Sequence, residues 1–124
     1  VPATEEAVTI AVAAAVAADE RSGRDIALLE VADVLVVADL FVVVSATNER
    51  QVAAITSAIE ERLHVEGRKV LRREGTPASG WMLLDYGDVI CHIMHEEQRG
   101  HYALERLWAD VPKRDAATGA VLAA

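Results

Sequence analysis

Trp81-Met82-Leu83-Leu84-Asp85-Tyr86-Gly87-Asp88-Val89-Ile90-Cys91-His92-Ile93-Met94-His95 reads as two apolar runs, Trp81 to Asp85 and Asp88 to His95, parted by Tyr86-Gly87. Gly87 can take the positive φ of a tight turn, so the stretch is predicted to be a β-hairpin. Successive side chains of a strand face opposite sides of the sheet. Two readings of this hairpin stay open: one face is core and the other an exposed apolar patch of interface type, rich in Trp, Tyr and Met, or helices cover both faces.

Working upstream, Gly75 to Gly80 has the composition of a loop and Lys69 to Glu74 that of a short half-exposed strand. Asn48 is placed to cap a helix from Glu49 to about Glu66, with Val52, Ile55, Ile59 and Leu63 on one face and Gly67 just beyond its end. Ile26 to Val31 and Leu35 to Ser45 read as strands. The second is too continuously apolar for a one-sided strand and is expected to be covered on both faces. Thr4 to Glu20 has helical periodicity, with Thr4 as N-cap and Glu5 and Glu6 at the positive end of the dipole.

Downstream, Glu96 to Ala109 is predicted to be a helix closed by Pro112, and residues 113–124 are expected to fray. The order α-β-β-α-β-β-β-α predicts an α/β fold, a single mixed β-sheet of about five strands flanked by helices, with one domain over residues 1–124.

The 124 residues carry 12 basic and 20 acidic side chains, a net charge of −8. That balance disfavours direct DNA or RNA binding and favours a cationic partner. The single Cys91 suits a reducing compartment, so cytoplasm is expected. Glu5 and Glu6 stand where a signal peptide needs positive charge, and no apolar run is long enough to span a membrane. The chain begins at Val1 rather than Met.

Catalytic chemistry finds weak support. His92, His95, Glu96 and His101 could be read as zinc ligands, but His92 and His95 are three apart on a strand and face opposite ways, which favours surface or interface histidines. Asp85, Asp88, Glu96 and Glu97 could serve as paired carboxylates, but Asp85 and Asp88 flank a turn whose amides they can bind. Cys91 reads as a buried, inert thiol. No dinucleotide, phosphate-loop or nucleophile-elbow motif occurs. Arg62, Arg68, Lys69, Arg72 and Arg73 read as a solvated edge, with a peripheral RNA contact as the minor alternative.

The run from Trp81 to Glu97, followed by Tyr102-Ala-Leu-Glu-Arg-Leu-Trp-Ala-Asp110, closely resembles the ribosomal silencing factor (Iojap) family. The likeness extends to Asp25-Ile-Ala-Leu-Leu-Glu-Val31, Ala38-Asp-Leu-Phe-Val-Val-Val44 and Thr47-Asn-Glu-Arg-Gln-Val52, covering roughly residues 5 to 112. The resemblance implies a non-enzymatic translation regulator without a cofactor, whose fold is distantly nucleotidyltransferase-like. It further implies that the protein binds the large ribosomal subunit through ribosomal protein number fourteen, blocks small-subunit joining when nutrients run short, and forms a homodimer off the ribosome.

Carried onto this chain, the partner-facing patch would use Trp81, Leu83 and Met94 as apolar contacts. Asp85 and Asp88 would pair with basic groups or brace the turn, and Tyr86 would contribute a ring and hydroxyl. His92, His95 and Glu96 would form a polar rim. Tyr102, Leu107 and Trp108 would be core or dimer contacts. The alternative is a metal-dependent hydrolase or nucleotidyltransferase-like enzyme using Asp85, Asp88, His92 and Glu96. The chain departs from the family pattern at Leu40, commonly Tyr, at Ala46-Thr47-Asn48, commonly Gly-Thr or Gly-Thr-Ser, and at Met94, commonly Phe. Ala46 takes positive φ only at a cost, so the turn after it is the point of doubt in the pattern.

Overall fold

The computed structural model describes residues 3–33, 38–102 and 109–122, and for His101 and Tyr102 the backbone only. In chain order the elements are α1 (Glu5–Asp19), β1 (Arg24–Glu30), β2 (Leu40–Ala46), α2 (Glu49–Val65), β3 (Arg72–Thr76), a one-turn 3-10 helix (Pro77–Ser79), β4 (Trp81–Asp85), β5 (Val89–His95), α3 (Glu96–Tyr102) and β6 (Lys113–Arg114). The six strands form one open mixed sheet in the order β3-β4-β5-β2-β1-β6. Only β2 and β5 run parallel among these neighbours.

Both long helices start where the sequence supplies a cap. Thr4 Oγ1 accepts from the Ala7 amide at 3.1 Å and Asn48 Oδ1 from the Gln51 amide at 2.8 Å. These bonds satisfy amides that would otherwise lack an intrahelical partner. The glycine missing after β2 costs little here: Ala46 is not among the positive-φ residues, and the Thr47 amide donates to Gln51 Oε1 at 2.7 Å.

α1 and α2 pack on one face of the sheet. There, Leu28, Leu40, Val42, Val44, Leu84 and Ile93 are fully buried beneath Ile55, Ile59, Leu63 and the alanines of α1. Each large aliphatic side chain so buried contributes about 1.5–3 kcal/mol, while the small alanines let α1 lie close to the strands. All seven residues of β2 are buried, as its continuous apolar run required. A smaller cluster on the opposite face joins Leu29, Val31, Phe41, Val43 and Met94.

Two expectations change. The segment after Pro112, whose composition suggested fraying, supplies a sixth strand: Lys113 and Arg114 pair with Leu29 and Leu28. Arg114 Nε reaches Glu30 Oε2 at 3.2 Å, and Arg114 Nη1 donates to the Gly119 carbonyl at 2.8 Å. The strand expected over Lys69 to Glu74 begins at Arg72 and continues through Gly75 and Thr76, into what read as loop. Gly75 permits this at φ +85°, because a Cβ there would stand 2.0 Å from the Trp81 carbonyl oxygen. Leu35 to Val37 of the expected strand, and residues 103–108 of the helix expected over Glu96 to Ala109, including Leu107 and Trp108, lie outside the described residues.

Candidate protein-docking face

Alternation along β4 sends Met82 and Leu84 into the helix-side core, both buried, and Trp81, Leu83 and Asp85 to the other face. The ladder sets rows across that second face: Thr76–Trp81–Met94–Ser45, Glu74–Leu83–His92–Val43 and Arg72–Asp85–Ile90–Phe41. Exposure falls from β3 inward, although Ile90 on β5 stays half-buried like Asp85 beside it. β3 is exposed throughout, Trp81, Leu83 and Asp85 are half-buried, and Met94 and His92 are buried. Trp81 and Leu83 line a groove of about 470 Å³ together with Glu74, Gly75, Ser79 and Gln98.

The nine residues expected to face a partner therefore divide. Trp81, Leu83 and Asp85 share the half-exposed side of β4, while His95 at the end of β5 is half-buried and Glu96 at the start of α3 is exposed. Met94, at 0%, and His92, at 6%, are buried on the same face, because β5 lies one strand further from the open edge. Tyr86 is no surface ring. It is 4% exposed and belongs to the helix-side core, where burial pushes its phenol pKa up, reinforced by Cys91 and Glu60.

The carboxylates considered for paired chemistry are engaged separately. Asp85 Oδ1 accepts from the Gly87 amide at 2.8 Å and Oδ2 lies 3.5 Å from Arg72 Nη2. Asp88 is paired with Arg68, which also donates to the Tyr86 carbonyl at 3.1 Å. Glu96 faces Arg24 at 3.5 Å, and His95 Nδ1 accepts from the Glu97 amide at 3.1 Å. Among the described residues no three His, Cys, Asp or Glu side chains are placed to hold a metal ion. Cys91 is fully buried and its thiol is pushed up to about 12 by desolvation.

The four arginines of the basic stretch are paired as well. Arg62 pairs with Glu20, Arg68 with Asp88 and Glu6, Arg72 with Glu74 and Asp85, and Arg73 with Glu60. Glu74, Gly75, Ser79 and Gln98 were not singled out in the sequence as groove residues. Gly75 to Ser79 carries only loop composition, and nothing local says that β4 brings Trp81 and Leu83 beside it.

A profile described as "ribosomal silencing factor during starvation" matches residues 4–122. The chain belongs to the ribosomal silencing factor family. A family member of Bacillus subtilis is 36% identical over 102 residues, covering 82% of this chain and 86% of its own. The crystal structure of a Chromobacterium violaceum protein superposes with a TM-score of 0.78 at 29% identity, covering 82% of this chain and 84% of that one. Further away, the mouse protein named mitochondrial assembly of ribosomal large subunit protein 1 is 30% identical over 92 residues, which span 72% of this chain and 40% of that protein. The matched span runs past Lys113 and so includes β6.

His92 gives this face a pH signature. Burial lowers its pKa from 6.5 to about 4. Between those values the unfolded chain takes up a proton that the folded one refuses, so stability falls as pH drops from about 6.5 to about 4. The loss amounts to about 3 kcal/mol: it is zero above about pH 6.5, where both states are neutral, and complete below about pH 4. Urea unfolding of the wild type and His92→Asn at pH 7 and pH 5 checks it. The wild type is expected to lose more stability than the variant, and an equal loss would contradict the assignment.

Proposed function

We propose that this chain silences ribosomes by docking on the large subunit, through ribosomal protein number fourteen, and sterically excluding the small subunit when nutrients run short. The observation that carries the reading is the side of β4 that bears Trp81, Leu83 and Asp85, a half-exposed apolar and acidic strip beside an open groove. Buried aromatic anchors dominate protein–protein affinity, and Trp81 and Leu83 have both the exposure and the bulk to fill a partner's pockets. The net charge of −8 suits a basic ribosomal protein. On this reading the protein acts in the cytoplasm without catalysis, and a homodimer forms off the ribosome.

Kinetics with the purified ribosomal protein number fourteen test the pairing. Complex formation is expected, with an association rate that falls as salt is raised, because exposed charges are screened. A salt-independent association rate would remove charge complementarity from the account, and the absence of a complex would remove this partner.

A further inference from the structure

Trp81 and His92 are not opposite one another in the ladder. Trp81 stands across from Met94, and His92 across from Leu83. Their rings meet on the diagonal between β4 and β5, a distance that aromatic side chains span. The indole Nε1–H donates to His92 Nδ1 at 3.2 Å, with ring centres 5.9 Å apart and the planes tilted by 51°. The imidazole also rests edge-on against Phe41, with centres 4.8 Å apart and planes at 66°.

An indole nitrogen only donates, so Nδ1 must present its lone pair, and the proton of the neutral ring then sits on Nε2. Nε2 is buried and has no hydrogen-bond partner among the described residues. A phenyl or aliphatic side chain would fill the space between Phe41 and Trp81 without burying an unsatisfied donor, which is costly. Packing therefore does not account for a histidine here. The bond to Trp81 does.

We infer that His92 is a positioning residue, whose Nδ1 holds the half-exposed Trp81 indole in one orientation on the docking face before a partner arrives. The inference rests on the docking reading of that face. Holding a ring in its bound orientation removes an ordering cost from association. Loss of the acceptor is expected to weaken binding roughly fivefold.

Two variants separate positioning from packing. His92→Phe keeps a ring against Phe41 but has no acceptor, whereas His92→Asn puts an amide oxygen where Nδ1 stands. The readouts are the Trp81 indole N–H proton resonance, assigned with Trp81→Phe, and affinity for purified large subunits. The resonance is expected to move in His92→Phe and return toward its wild-type position in His92→Asn. Affinity is expected to follow the same pattern, and His92→Phe is expected to cost nothing further in a Trp81→Phe background.

An unmoved resonance in His92→Phe, no recovery in His92→Asn, or an undiminished loss in the Trp81→Phe background would overturn the inference while leaving the docking reading in place. Failure of the wild-type chain to bind large subunits would overturn the docking reading and the purpose given to this hydrogen bond.

Discussion

Glu30→Ala is expected to lower folding stability by about 3–5 kcal/mol, the cost of leaving a buried charge without its partner. Glu30 is 6% exposed, and its side chain joins both ends of the chain to β1. Oε1 accepts from the Ala3 amide at 2.6 Å, just before α1, and Oε2 lies 3.2 Å from Arg114 Nε on β6. The Arg114 side chain is only 15% exposed and also donates to the Gly119 carbonyl at 2.8 Å. Removing the carboxylate strands that guanidinium and frees two peripheral segments together. A domain of this size has about 5–15 kcal/mol to lose in total.

Glu30→Gln retains the shape and an acceptor for one of the two donors, so its loss should be smaller. Replacing the pair together, Glu30→Leu with Arg114→Met, should cost far less than Glu30→Ala because no charge is left buried. Urea unfolding of the four proteins measures the order. A loss below about 1 kcal/mol in Glu30→Ala would show that the pair is solvated and that β6 is held by other contacts.

Trp81→Ala is expected to weaken large-subunit binding about thirtyfold or more, corresponding to the 2 kcal/mol or greater typical of a central aromatic anchor. Trp81 flanks the groove, packs against the second-face cluster and is braced by His92, so truncation removes contact area and orientation together. Leu83→Ala, one row along the strip, should cost less because its contact area is smaller. Val65→Ala provides a control, since Val65 is 81% exposed at the end of α2, away from the strip. Co-sedimentation with large subunits, with folding checked by circular dichroism, gives the comparison. Equal binding by Trp81→Ala and Val65→Ala would take Trp81 out of the contact.

Much of the architecture was legible because local signals agreed with tertiary ones. Thr4 and Asn48 announced their helices, and the apolar richness of Leu35 to Ser45 announced a strand covered on both sides, of which the structure shows Leu40–Ala46. The hairpin followed from Gly87 and its flanking runs. Lys113-Arg114 was not legible, since two basic residues carry no strand pattern. Their pairing is imposed by Glu30 and Leu29, more than eighty positions earlier in the chain.

The docking face was legible only by parity. Alternation groups Trp81 with Leu83 and Asp85, and His92 with Met94, but it is silent on how far each strand lies from the sheet's open edge. That distance leaves Leu83 half-exposed and buries Met94. Tyr86 escaped the pattern altogether, because a residue in a turn obeys no alternation. Its ring turns back into the helix-side core.

The most direct test of the central claim is sucrose-gradient sedimentation of purified large and small bacterial subunits under joining conditions, with and without this protein. The account predicts that the protein travels with the large subunit and that the joined-ribosome peak falls as it is added. A protein that stays at the top of the gradient while joining proceeds undiminished would contradict it.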